Sequence, residues 1–199
     1  MKPITQENDR LGFVGIGYMG MPIARRLLEA GFKLTAYDQD RNKVSELLRY
    51  GGTVAESVSK LSSSCNVVLS CLPNDHAVLE TYGGSVGVFA NALRGSVIID
   101  LSTVYPETSQ ELARLGAEHG VEVLDVTMSG STPVAEKGLL TLFGGRKQGT
   151  LRQRRVHLSR YLPKIFSPRA ERRRSNDETC GERLTGNRNA GDCRSRSTR

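Results

Sequence analysis

No apolar run in this 199-residue chain reaches the ~18 residues of a membrane-spanning helix, so a transmembrane reading is set aside. Residues 1–10 are polar and lack the apolar core of a signal peptide, which makes a soluble cytoplasmic protein the expectation. Cysteine is sparse. Cys65, Cys71, Cys180 and Cys193 include no Cys-x-x-Cys pair, so neither a metal site nor a disulfide framework is indicated. Cys65 and Cys71 flank or sit in an apolar strand and read as small buried thiols. The three histidines supply no catalytic candidate: His76 and His119 fall on predicted helices among charged residues, and His157 has no partner in view.

Glycine, in contrast, is concentrated where it counts. Residues 11–20 read Leu-Gly-Phe-Val-Gly-Ile-Gly-Tyr-Met-Gly, an apolar strand running into Gly15, Gly17 and Gly20 with a helical pattern directly after. Gly15 suits a tight turn, Gly17 lets phosphates approach the main chain, and Gly20 lets the helix pack closely on the strand. The N–H groups at a helix start then face an anionic pyrophosphate, so Ile16, Tyr18 and Met19 join the three glycines as candidate cofactor contacts. The helix is expected over 20–30, closed by Gly31, and a second strand over Lys33–Tyr37 ends at Asp38. An acidic residue ~20 positions beyond the glycines is where a ribose hydroxyl is bound. The competing role for Asp38 is a helix cap, which Asp40 also fits.

Further strands are expected over 66–72, 96–101, 122–126 and 139–143, with a helix over Pro106–Glu118 ended by Gly120. Alternating βα units with buried-looking strands predict an α/β fold, a Rossmann-type doubly wound parallel sheet with helices on both faces and right-handed crossovers. The pattern stops near Gly145. The formal net charge is +7, yet residues 146–199 hold 16 basic and 5 acidic side chains, leaving 12 and 16 in residues 1–145. The expected organisation is therefore a dinucleotide-binding domain over 1–145 and an arginine-rich, aperiodic tail over 146–199, disordered over 169–199.

Four ordered segments give residues 1–145 a resemblance to the β-hydroxyacid dehydrogenase family, which includes 3-hydroxyisobutyrate dehydrogenase and shares the 6-phosphogluconate dehydrogenase type of NAD-binding domain. They are Phe13-Val-Gly-Ile-Gly-Tyr-Met-Gly-Met-Pro, Cys71-Leu-Pro-Asn-Asp, Asp100-Leu-Ser-Thr-Val-Tyr-Pro, and Asp125-Val-Thr-Met-Ser-Gly-Ser continuing to Gly138-Leu-Leu-Thr-Leu. The resemblance implies hydride transfer between a small 3-hydroxy carboxylate, or its semialdehyde, and a nicotinamide. It places Leu72 and Pro73 against the cofactor, Ser102 and Thr103 at the sheet edge where ligands bind, and Ser129, Gly130 and Ser131 on the substrate carboxylate. Ser131 stands where most members have glycine. Asp38-Gln39-Asp40, where NADP-preferring members tend to carry Asn-Arg-Thr, favours NAD over NADP, although Arg41 is close.

The family's catalytic lysine lies in a G-x-x-x-K-x-x-x-N segment leading into an all-helical domain, where it serves as general acid/base. Neither Lys147 nor Lys164 has that setting, so no catalytic residue is assigned. Back-translated with synonymous codons and read one base downstream, residues 175–193 permit AMMKLVANALLGIGMQAIA, and the preceding arginines permit glycine. The tail is thus compatible with an out-of-frame lysine helix, from a frameshift or a sequencing error. The expected function is that of a truncated NAD-dependent 3-hydroxyacid dehydrogenase that binds cofactor without turnover. A non-catalytic dinucleotide sensor and a nucleic-acid-associated protein using the tail are the alternatives. Oligomeric state is left open.

Overall fold

The computed structural model describes residues 4–145. In chain order the elements are β1 (Arg10–Val14), α1 (Gly20–Glu29), β2 (Lys33–Tyr37), α2 (Arg41–Leu47), a 3-10 turn (Leu48–Tyr50), β3 (Thr53–Val54), α3 (Val58–Ser64) and β4 (Val67–Ser70). There follow α4 (Asp75–Tyr82), α5 (Val88–Asn91), β5 (Val97–Asp100), α6 (Pro106–Glu118), β6 (Glu122–Ser129), α7 (Thr132–Glu136) and β7 (Thr141–Gly145). They form one seven-stranded sheet in the order β3-β2-β1-β4-β5-β6-β7. The sheet is parallel from β3 to β6. The expected tail over 146–199, with His157, Lys147, Lys164, Cys180 and Cys193, lies outside the described residues.

Strand order turns outward from β1 in both directions, so β1 and β4 flank the point where the winding reverses. In open α/β sheets ligands bind in the crevice beyond the strand ends at that point. Local signals deliver the chain there. Asp40 caps α2 by accepting from the Asn42 N–H (3.0 Å), Ser57 caps α3 through the Lys60 N–H (3.2 Å), and Asn74 caps α4 through the Ala77 N–H (2.9 Å). Pro106 opens α6 at its first turn, where a missing N–H has no cost.

Both faces of the sheet are buried, as two clusters of alternating strand residues. Leu11, Phe13, Val67, Leu69, Ile99, Leu124 and Val126 pack with Ile23, Ala24 and Leu27 of α1 and with Val44 and Leu47 of α2. On the opposite face Val14, Val68 and Ile98 pack with Leu61, Val78, Tyr82, Phe89 and Leu112 of α3 to α6. This is the double covering the sequence led us to expect.

Two features differ from that expectation. β7 runs antiparallel to β6, with Ser129 opposite Thr141 and Asp125 opposite Gly145. The segment between them carries only the five-residue α7, and the chain turns back along the edge of β6 instead of crossing over the sheet. β3, α3, α5 and α7 were not anticipated either: β3 is two residues long, α5 four and α7 five, and α3 is rich in serine. Truncating Leu69, 1% exposed on central strand β4, is expected to cost about 2–5 kcal/mol in urea unfolding; a loss under about 1 kcal/mol contradicts this core assignment.

Candidate dinucleotide site

The three glycines of the β1–α1 turn do different work. Gly15 has φ 92°, and a Cβ there would lie 2.3 Å from the Cys71 carbonyl oxygen and 3.2 Å from Leu72 Cδ2. Its N–H donates to the Tyr37 carbonyl at 3.0 Å. A Cβ on Gly20 would lie 2.0 Å from the Gly15 carbonyl oxygen and 3.2 Å from the Phe13 ring, so only glycine allows α1 to start so near β1. Gly17 has nothing within 4 Å of such an atom. It faces open space at a helix start. Met19, the N-cap of α1, makes no side-chain capping bond; with the Met21 N–H bonded to the Gly17 carbonyl at 2.9 Å and no N–H on Pro22, the Gly20 amide is the first-turn donor open to water or a ligand. Tyr18 projects beside them, 92% exposed, while Ile16 is buried beneath.

Asp38 lies at the tip of β2, half-buried. Its Oδ2 accepts from the Ile16 N–H at 2.7 Å and its Oδ1 from the Asp40 N–H at 2.9 Å. The carboxylate therefore braces the glycine turn against β2, and the Ile16 amide is directed at Asp38. A carboxylate offers about four acceptor positions, so two remain for other donors. The capping role falls to Asp40 rather than Asp38. Arg41 turns away: its Nη1 and Nη2 donate to the Ala55 (3.2 Å) and Glu56 (2.7 Å) carbonyls, and its guanidinium lies 5.8 Å from the Tyr37 ring centre.

At the ends of β4 and β5 sits a buried polar network that the sequence reading missed. Asp100, 2% exposed, accepts on Oδ1 from Ser70 Oγ (2.6 Å), Ser102 Oγ (2.6 Å) and the Ser102 N–H (3.2 Å). Tyr82 Oη lies 2.5 Å from Ser70 Oγ, and the Leu72 N–H donates to Ser102 Oγ at 2.9 Å. Ser70 and Asp100 are register partners, so a polar residue ending each of two adjacent apolar strands was the available signal. Burial raises the Asp100 carboxyl above the usual aspartate range, against the lowering effect of the two serine hydroxyls. Burial, reinforced by the Asp100 charge, pushes the Cys71 thiol up to about 11, keeping it neutral at physiological pH.

Ser102 thus points into the network, while Thr103 beside it is exposed. Thr103 does not cap α6, whose N-cap is Tyr105. Asp75 instead accepts from the Tyr105 N–H (2.9 Å) and Thr108 Oγ1 (2.6 Å). Leu72 is half-buried and Pro73 exposed. Ser129, Gly130 and Ser131 form an exposed corner after β6. Gly130 has φ 141°, whereas Ser131 has φ −101° and ψ 171°, an extended backbone that a serine adopts without strain. This corner is tethered to the glycine turn: Thr132 Oγ1 lies 3.7 Å from Met19 Sδ, and Arg26 Nη1 donates to the Glu136 carbonyl at 3.1 Å. The two described histidines stand apart. His76 is exposed, 3.8 Å from Glu80, and His119 stacks on Phe89 with ring centres 5.9 Å apart. Among the described residues no cluster suits a metal ion, and no helix is long and apolar enough to cross a membrane.

A glycine turn at the switch point, an anion-ready helix start and a carboxylate on the neighbouring strand tip define a dinucleotide-binding domain. The family model describing the NAD binding domain of 6-phosphogluconate dehydrogenase matches residues 10–161, and the chain belongs to this family. It is 34% identical over 147 residues to the 3-hydroxyisobutyrate dehydrogenase of Pseudomonas aeruginosa, covering 73% of this chain and 49% of that protein. It is 32% identical over 143 residues to 2-(hydroxymethyl)glutarate dehydrogenase of Eubacterium barkeri, covering 72% and 48%. The chain spans about half the length of the curated relatives it matches. Among solved structures, the Mycobacterium tuberculosis 3-hydroxyisobutyrate dehydrogenase with L-serine is similar at TM-score 0.70 and 27% identity, covering 79% of this chain and 52% of that one. Psf3 in complex with NADP+ and 2-OPP gives TM-score 0.70 and 29% identity, covering 78% and 54%.

The raised Asp100 carboxyl makes a pH prediction. The folded chain holds that proton to higher pH than the unfolded chain, so its contribution favours folding at low pH and is lost as pH rises through the raised value. The stability difference between wild type and Asp100→Asn should therefore shift toward wild type between neutral pH and about pH 4 in paired urea titrations. A difference that stays flat over that range contradicts it.

Proposed function

We propose that this chain is the cofactor-binding part of a 3-hydroxyacid dehydrogenase of the 3-hydroxyisobutyrate type, and that it takes NAD(H) in preference to NADP(H). The observation that carries this reading is the contrast among the three glycines. Gly15 and Gly20 are crowded by backbone, while Gly17 borders open space at an uncapped helix start. A pyrophosphate is the group that needs both the space and the donors. When bound, the cofactor supplies or accepts hydride at its nicotinamide ring.

The remaining residues fit around that group. Asp38, already braced by two main-chain donors, keeps acceptor positions for ribose hydroxyls and repels a 2′-phosphate. Arg41 could answer a 2′-phosphate, but its guanidinium is engaged by the Ala55 and Glu56 carbonyls. That supports NAD over NADP. Leu72, Pro73 and Thr103 line the far side of the crevice, and Ser129, Gly130 and Ser131 offer donors for the carboxylate of a small 3-hydroxy acid. Residues 1–145 form the binding domain in this proposal. No G-x-x-x-K-x-x-x-N segment occurs in the chain, so it binds without turning over substrate.

Two measurements test the proposal on the full 199-residue chain. NADH titration by fluorescence should give saturable binding tighter than NADPH, with no turnover on 3-hydroxyisobutyrate, and Asp38→Asn should narrow the NADH preference. Folded protein that ignores both dinucleotides overturns the reading. Gly17→Val should shift stability by no more than about 0.5 kcal/mol, since nothing lies near its Cβ, yet weaken NADH at least about tenfold. Unchanged NADH affinity in that variant removes the pyrophosphate from this turn.

A further inference from the structure

We infer that Asp100 and Ser102 act as positioning residues that set the orientation of the Cys71–Leu72 peptide over the glycine turn, and through it the affinity for the dinucleotide. The inference rests on the cofactor reading above and adds to it a specific mechanical part.

The hydrogen-bond directions follow by elimination. The Leu72 N–H can only donate, so Ser102 Oγ accepts from it and sends its own proton to Asp100 Oδ1. Ser70 Oγ likewise gives its proton to Asp100 Oδ1. Ser70 Oγ is then left as an acceptor, and the Tyr82 hydroxyl is its donor at 2.5 Å. One buried carboxylate oxygen thus organises a chain running from Tyr82 through Ser70 to Asp100, and from Asp100 through Ser102 to the Leu72 amide.

That amide belongs to a peptide plane with two opposite duties. Its N–H is held by Ser102 Oγ, and its C=O is the Cys71 carbonyl that crowds the position a Gly15 Cβ would take, at 2.3 Å. The unit is planar, so fixing the N–H fixes the direction of the carbonyl. If Ser102 released the amide, the peptide could rotate and bring the carbonyl across the turn that Gly15 makes. Gly15 donates its own N–H to Tyr37, the residue before Asp38, so the same displacement reaches the ribose side of the crevice. Ser102 is 2% exposed and Thr103 is exposed next to it, so one strand end splits into an inward positioning group and an outward contact group.

The test titrates NADH into wild type, Ser102→Ala, Tyr82→Phe and Leu112→Val, each as the full 199-residue chain with its unfolding midpoint measured. Leu112, 1% exposed on α6, makes none of the network's hydrogen bonds, so its truncation lowers stability and controls for destabilisation without removing a bond of the network. Ser102→Ala should weaken NADH about tenfold, Tyr82→Phe should fall between it and wild type, and Leu112→Val should bind as wild type does. Ser102→Ala binding within about twofold of wild type, or Leu112→Val losing as much affinity, overturns the inference. If Ser102→Ala does not fold, Tyr82→Phe decides: it keeps the ring and loses only the hydroxyl, so wild-type affinity in it overturns the inference. If wild type itself binds no NADH, the cofactor reading is what fails. Amide exchange at Leu72 then reads the positioning directly, with protection expected to drop in Tyr82→Phe and Ser102→Ala but not in Leu112→Val; retained protection in both hydroxyl variants overturns it.

Discussion

The contact between Gly15 and the Cys71 carbonyl is the constraint on which the crevice depends. It joins the ends of β1 and β4, the two strands at which the sheet reverses its winding, and it leaves no room for a side chain. A larger residue at position 15 would meet both a positive φ and a backbone oxygen, so neither relaxation alone would relieve it. The two loops are consequently one object. The turn that offers amides to an anion and the edge formed by Leu72 and Pro73 keep their spacing because a carbonyl sits where a Cβ would be.

A parallel sheet buried on both faces has little tolerance for polar groups, yet Ser70 and Asp100 end adjacent strands opposite each other. Their burial is supportable because the Tyr82, Ser70 and Ser102 hydroxyls and the Leu72 amide are all paired within the network. Burial keeps the Asp100 proton bound to higher pH than usual, and it keeps Cys71 a neutral thiol. On the β4 side of the crevice the thiol is therefore neutral, and the Asp100 carboxylate is enclosed by hydroxyl and amide donors. The opposite edge carries the Asp38 charge. An asymmetry of this kind suits a ligand with a hydroxylated sugar at one end and a flat ring at the other.

Much of this was legible in the residues. The glycine spacing, β2 over Lys33–Tyr37 and α6 over Pro106–Glu118 follow from periodicity with Gly and Pro punctuation, because local sterics decide them. α3 escaped notice for a local reason too. Val58 and Leu61 are its only apolar residues, and Ser62, Ser63 and Ser64 return their hydroxyls to carbonyls one turn back, so no helical stripe shows in the sequence. The direction of β7 was beyond a strand-by-strand reading, since an apolar run looks the same whichever way it pairs. The Asp100 network was missed because its meaning depends on register: Ser70 and Asp100 are thirty positions apart and meet only when β4 and β5 pair.

Chain order also explains how a segment matching about half the length of the curated relatives can assemble the strand ends of the crevice. The glycine turn, Asp38, the Leu72 edge and Thr103 all fall between β1 and the start of α6, on the four strands β2, β1, β4 and β5 that lie side by side. Binding geometry is therefore assembled from near-neighbour strand ends. At the ends of β4 and β5 the Asp100 carboxyl is turned into its network and the Cys71 thiol stays protonated, so neither stands free to exchange a proton with a substrate hydroxyl. Recognition and acid/base chemistry are thus separable in this architecture. The proposal of cofactor binding without turnover draws on that separation.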